Sequence, residues 1–510
     1  MVRLSTGLCA IGIAIGCIGL SACGSDTGTA TASTSTDRGA LIYDPPIRTA
    51  SLTATDFGTQ LGASTAGQGL LAVAGAPTCG VDFYYIEYNT VGGAGEKTTA
   101  SGALMVPTGA AASGCSGPRP IILYAHGTQT DKTANLADIA NVNNTEGQLI
   151  AAMFAAHGFI VVAPNYAGYD SSSLPYHPFL NGDQQSKDMI DALAAARTAL
   201  PQTPASATSD SGKLFISGYS QGGYVAMATH KALQAAGVAV TASAPMSGPY
   251  ALEAFGDAIF FGHVNLGSTV FGDMVATSYQ KSFGNLYTST SQIFEATYAG
   301  SAEGLLPSAT PLATLFTTGK LPQTALFNST PPVTGNAQLD ALLAVPTDPL
   351  FSLGFGPSNL ITNDYRLTYV LDALANPDGA VSTPPVAGLP LAATPQHPLR
   401  VDLKQNDMRT WAPHSPMLLC GGDQDPTVFF SVNTQTMEAF WSALPAGLVT
   451  VLDVNATPNP ASPFAPVQVG FQTALAQLFA AGGQTAVVEN YHTTVAPFCS
   501  AAARGFFSQF

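Results

Sequence analysis

The chain has 510 residues, 46% of them hydrophobic and only 10% charged, which is enough apolar material for a large core and excludes disorder over most of its length. A formal charge of −15, with no cluster among its 17 basic residues, excludes nucleic acid as a partner, because neutralising phosphates takes grouped Lys and Arg. The length suits one elaborate domain or two smaller ones, with a surface covered mainly by Ser, Thr, Asn, Gln and small residues.

The first residues, MVRLSTGLCAIGIAIGCIGLSAC, give a basic start at Arg3, an apolar run from Leu8 to Leu20 and a small-residue site ending at Cys23. This pattern predicts an export signal, too short for a comfortable membrane span. Leu20-Ser21-Ala22-Cys23 resembles the bacterial lipobox, which implies an acylated Cys23 as the mature N-terminus and a membrane anchor. The polar stretch GSDTGTATASTSTDRGA then suits a flexible tether. Without Cys9, Cys17 and Cys23, four cysteines remain: Cys79, Cys115, Cys420 and Cys499. An even number in an oxidising compartment predicts two disulfides. Of the three possible pairings, Cys79 with Cys115 and Cys420 with Cys499 are favoured, the latter because both lie near candidate catalytic residues. A metal site is disfavoured because the four lack CxxC spacing and no His pair stands beside them.

From Cys79 the elements follow in order. VDFYYIEYNT alternates apolar and polar residues, and TTASGALMVP returns as an antiparallel partner. PIILYAHGT is an apolar run, as expected of a strand buried on both faces. EGQLIAAMFAAHG has helical spacing stopped by Gly158; FIVVAPNYAGYD is another buried strand; a helix follows from about Asp183 to Leu200. KLFISGYS is the next strand, YVAMATHKALQAAG the next helix, and VAVTASAPMSGPY a fourth strand of the series. This alternation predicts an α/β fold with a mostly parallel sheet covered by helices. The rhythm then breaks from about Ala251 to Arg400 and resumes at SPMLLCGGDQD, with a helix near Val432 to Leu444 and the strand LVTVLDV. The expected organisation is a signal peptide over 1–22, a tether over 23–40, sheet domain over 41–250 and 401–510, and a helical cap over 251–400.

GYSQGG stands between a predicted strand and a predicted helix. That is where a nucleophilic Ser220 would project its hydroxyl from a sharp turn, with Gly218 and Gly222 giving strand and helix room to cross. A serine hydroxyl needs a base and an orienting carboxylate. The loop GGDQDPTV offers Asp425 as the preferred acid and Asp423 as the alternative. Of eight histidines, His492 in TAVVENYHTTVAPF alone follows the acid, after what reads as another strand-like run. For the oxyanion hole, Gln221 supplies one backbone N–H, and the loop YAHGTQT the other from Thr128, or next from Gly127. His126 is expected to shape that loop rather than act as base.

LYAHGT, GYSQGG, DPTV and the late HTTV together resemble the α/β-hydrolase superfamily, and within it the secretory lipase branch of esterases. The resemblance implies nucleophile, acid and base at Ser220, Asp425 and His492, a helical cap over an acyl pocket, and an exported enzyme acting on carboxylic esters without a cofactor. Two other readings stand beside it. A peptidase of the same fold would need a charged anchor for a substrate terminus, for which Glu253 or Asp257 at the cap entry are the candidates. A surface binding protein would have no use for the Ser, Asp, His order.

Overall fold

The computed structural model describes residues 31–32, 37–204 and 207–510. The signal peptide, Cys23 and most of the tether lie outside the described residues. Nine strands form one sheet: β1 Ile47–Leu52, β2 Gly80–Val91, β3 Lys97–Thr108, β4 Gly117–Ala125, β5 Ile160–Pro164, β6 Thr208–Tyr219, β7 Ala242–Met246, β8 Met417–Gly421 and β9 Val449–Asp453. Their spatial order is β9-β8-β7-β6-β4-β5-β3-β2-β1. Strands β4 to β9 run parallel, and β3, β2 and β1 add an antiparallel edge.

The helices that position the site are α1 Ala54–Gly62, α2 Thr65–Ala74, α3 Thr145–Met153, α4 Gly182–Ala199 and α5 Gln221–Ala235. Strand alternation divides the core between the two faces of the sheet. Ile121 and Leu123 of β4 pack with residues of α4 and α5, whereas Ile122 and Tyr124 pack with α3. That is why the strand reads as an unbroken apolar run. Residues Ala125, Gly218 and Pro245 pair side by side across β4, β6 and β7, and Met246 pairs with Cys420 of β8. The loops that leave these four strand ends therefore converge at one edge, where open α/β sheets place their sites.

Between β7 and β8 the chain runs through 247–416, where helices stand between long irregular stretches rather than filling the segment: the main ones are α6 Leu252–Phe260, α7 Ser268–Phe283, α8 Asn363–Ala375 and α9 Pro398–Gln405, with a short parallel pair at Phe327–Asn328 and Phe355–Gly356. Buried ion pairs tie this cap together. Arg400 grips Asp257 with two bonds of 2.9 Å and Asp372 with one of 3.0 Å, joining α6, α8 and α9. Arg409 holds both Asp378 and Asp407, the shortest contact 2.6 Å. Bidentate geometry keeps such pairs satisfied, and removing one partner would strand a buried charge.

After α10 Thr434–Phe440 and β9, the chain ends in α11, Ala465–Phe507. Gly482 and Gly483 break its helical dihedrals, and Phe471 meets Tyr491 and Phe498 at ring separations of 5.4 and 5.7 Å. In a straight helix residues so far apart in sequence would lie about 30 Å or more from each other, so α11 folds back as a helical hairpin. This corrects the strand-like reading of the run before His492. Val487, Tyr491, Val495 and Phe498 recur at helical spacing and are all buried, a period that the paired valines obscured. Among the described residues no helix is long and apolar enough to cross a membrane. Cys79 is bonded to Cys115 and Cys420 to Cys499, the two favoured pairings.

Candidate active site

Ser220 follows β6 directly and opens α5 with φ +59° and ψ −123°, a strained conformation for a residue with a side chain. The residues two positions to either side, Gly218 and Gly222, must be glycines. A Cβ on Gly218 would lie 2.3 Å from the carbonyl oxygen of Gly222, and one on Gly222 would lie 2.0 Å from that of Ala125. The sharp turn aims the serine hydroxyl away from the sheet, toward the second arm of α11.

There the three expected residues meet. His492 Nε2 lies 2.9 Å from Ser220 Oγ, and its Nδ1 lies 2.6 Å from Asp425 Oδ2. The carboxylate accepts the Nδ1 proton, which leaves Nε2 free to accept from the serine. Asp425 is buried, and its other oxygen accepts the N–H groups of Thr427 at 2.9 Å and Val428 at 3.1 Å. Asp423 points elsewhere: its Oδ1 accepts from Asn455 at 2.7 Å, and its N–H donates to Asp453. The disulfide Cys420–Cys499 ties the end of the acid's strand to the arm that carries His492, two turns beyond the histidine.

Thr128 and Gln221 both line the cavity above Ser220, and among the described residues neither N–H meets a protein acceptor. Gly127, the alternative to Thr128, is committed: its N–H donates to Glu146 Oε1 at 3.0 Å and Oε2 at 3.2 Å. His126 is buried, stacked on Tyr166 with ring centres 4.1 Å apart, and lies between the carbonyl oxygens of Gly127 at 2.6 Å and Asn165 at 3.1 Å. Its ring nitrogens are engaged within the loop and at Asn165, and neither meets Ser220 Oγ.

Two residues at the site were not singled out from the sequence. Glu146 joins the loop that carries Thr128 to Tyr124, whose hydroxyl it accepts at 2.9 Å, and burial pushes its carboxyl up to about 7 against the pull of the Gly127 and Tyr124 bonds. His177 is buried; its Nδ1 donates to the Ala167 carbonyl at 2.9 Å, so its Nε2 accepts from the Gln221 side-chain amide at 2.7 Å. Burial holds the His177 ring neutral, pushing it down to about 3. No pattern marked either one: Glu146 reads as an ordinary acid in a first helical turn, and His177 lies in the irregular loop SSSLPYHPF.

The cavity above Ser220 has a volume of ≈ 120 Å³ and is walled largely by apolar residues of the cap, among them Phe255, Ile259 and Phe271, with no Asp, Glu, Lys or Arg in its lining. Glu253 and Asp257 do not reach it. Asp257 is bound by Arg400 and by the Tyr369 hydroxyl, and Glu253 is buried and accepts the N–H of Ala392. The anchor that a peptidase would need is therefore not supplied by these two carboxylates. Among the described residues no group of His, Cys, Asp or Glu is arranged to hold a metal ion.

A family model described as the prolyl oligopeptidase family matches residues 146–262, from α3 through the serine turn to the end of α6. Among solved structures, a ligand-bound form of the rice cell wall degrading esterase LipA from Xanthomonas oryzae is 24% identical, covers 92% of this chain and 98% of its own, and superposes with a TM-score of 0.66. A second structure of that esterase is 26% identical, with coverage of 89% and 98% and a TM-score of 0.63. A Legionella pneumophila protein at 18% identity, coverage of 91% and 96% and a TM-score of 0.61 shares the fold. A search of curated proteins found no match. The fold is that of the α/β hydrolases, and the family match and the esterase likeness support a serine hydrolase.

Proposed function

We propose that the protein is a carboxylic ester hydrolase with an apolar acyl site, acting through Ser220, His492 and Asp425. His492 takes the Ser220 proton as Oγ attacks the ester carbonyl. The oxyanion is received by the backbone N–H groups of Gln221 and Thr128, and the leaving alcohol departs with the proton that His492 holds. Water, deprotonated by His492, then attacks the acyl-enzyme, and the carboxylic acid leaves as the proton returns to Ser220. The observation that carries the ester reading is the uncharged, apolar lining of the cavity above Ser220, with the likeness to an esterase in support.

The peptidase reading keeps one observation, the family match over residues 146–262. Comparing p-nitrophenyl esters of short and long acids with aminoacyl-nitroanilides separates the two. Turnover of the esters, lost in Ser220→Ala, supports the proposal; turnover of the anilides alone rejects it. The reading further includes export on the signal over 1–22, a lipid on Cys23 that tethers the enzyme to a membrane surface, and a cap over 251–400 that walls the acyl site. The two disulfides support an oxidising compartment. Metabolic labelling with a fatty acid, lost in Cys23→Ala, tests the anchor.

A further inference from the structure

We propose that Glu146 is a positioning residue of the oxyanion site, holding in place the peptide whose N–H belongs to Thr128. The inference rests on the hydrolase reading above and names a part of that machinery which the triad does not contain.

The Thr128 N–H belongs to the peptide unit that joins Gly127 to Thr128. In a planar trans peptide the N–H points opposite to the carbonyl, so its direction is fixed once the Gly127 carbonyl is fixed and the preceding unit cannot swing. Both conditions are met. The Gly127 carbonyl lies 2.6 Å from His126 Nδ1 and accepts its proton in the Nδ1–H tautomer, the shorter of the ring's two carbonyl contacts. The preceding unit is held by Glu146, whose two oxygens lie 3.0 and 3.2 Å from Gly127 N. Glycine has the freest backbone of any residue, and Gly127 is the hinge between these two units. A clamp on each side of it is what a preorganised donor requires.

Glu146 is itself anchored. It accepts the hydroxyl of Tyr124, three residues before Gly127 at the end of β4, and it stands in the first turn of α3 behind the cap residue Asn144, where a helix favours negative charge. One carboxylate thus joins a strand end, a loop and a helix start. It is half-buried and lines a groove of ≈ 850 Å³ bounded by α2, α3 and α11, which shares no lining residue with the acyl cavity. Substrate in the acyl cavity meets Thr128 but not Glu146, so a variant at Glu146 should alter turnover while leaving the walls of the acyl cavity in place.

Glu146→Ala, Glu146→Asp and Glu146→Gln are the variants to compare, with active sites counted by fluorophosphonate titration so that misfolded protein does not enter kcat. For Glu146→Ala we expect kcat per titrated site to fall about 30- to 100-fold with KM within about threefold, the scale of an impaired oxyanion donor. A trifluoromethyl ketone, whose adduct places an oxyanion in the same hole, should lose affinity in parallel. Glu146→Gln keeps one acceptor for Gly127 and should recover most of the loss; Glu146→Asp is one methylene too short and should not. A residue that merely braces α3 would lower melting temperature and titrated fraction, leaving kcat per site and ketone affinity unchanged, and that result overturns the inference. Should Glu146→Ala fail to fold, the order of Glu146→Gln above Glu146→Asp in kcat per site decides it, and equal values at the wild-type level reject it. Failure of the hydrolase reading is distinct: the wild-type protein would then take no fluorophosphonate at Ser220.

Discussion

Asp423 and Asp425 stand two residues apart in one loop, and the structure sends their carboxylates to different neighbours. If Asp425 orients His492, Asp425→Asn should lower kcat by about 10²- to 10⁴-fold, because the amide favours the wrong tautomer, whereas Asp423→Asn should stay within a few-fold of wild type; ester turnover of the two variants checks this. His177 yields a second expectation, in stability. Its folded value near 3 lies below the ordinary histidine value of 6.5, so its contribution is present above pH 6.5 and is lost as pH falls toward 3. The slope in that window is at most about 1.4 kcal/mol per pH unit. Urea unfolding at pH 7 and pH 4 should show the gap between wild type and His177→Gln narrowing at the lower pH. At this scale the turn at Ser220 was legible through its glycines, and the meeting of Ser220, Asp425 and His492 through their order along the chain. Glu146 and His177 were not legible, because their roles depend on bonds to residues 19 and 44 positions away that no local pattern encodes.

At the scale of elements, Asp425 and His492 sit on unlike supports. Asp425 follows a buried strand, and its apolar run and turn residues were readable from the sequence. His492 rides a helical arm whose apolar residues keep a helical period, but whose valine pair and short length suggested a strand. The hairpin at Gly482–Gly483 became clear only from tertiary contacts such as Phe471 on Phe498. Because two unlike elements must hold a 2.6 Å bond, the Cys420–Cys499 link between them has work that Cys79–Cys115 lacks. Either disulfide, closing 79 or 36 residues, should contribute about 4 kcal/mol by restricting the unfolded chain. Replacing Cys420 and Cys499 by serine should cost that stability and also lower kcat. Replacing Cys79 and Cys115 should cost stability alone, and equal kcat in the two double variants would refute the distinction.

For the whole molecule, the sheet domain and the cap differ in how much their sequences declared. The alternation of apolar runs and helical spacings announced the parallel sheet, since burial on both faces leaves a direct imprint on composition. The cap was visible only as a break in that rhythm. Its shape depends on Arg400 meeting Asp257 and Asp372, and Arg409 meeting Asp378, all far along the chain, pairs that a chain with 10% charged residues gave no means to match. The outcome is an apolar chamber above Ser220, with Arg400 and Arg409 of the cap paired to buried carboxylates and no charged side chain in the chamber's lining.

The most direct test of this account is fluorophosphonate labelling followed by tryptic mapping and ester turnover on the same sample. The account predicts one label per chain, on the Leu214–Lys231 peptide, with turnover of an apolar p-nitrophenyl ester falling in proportion to labelling. Full turnover in fully labelled protein, or a label on any other peptide, would contradict it.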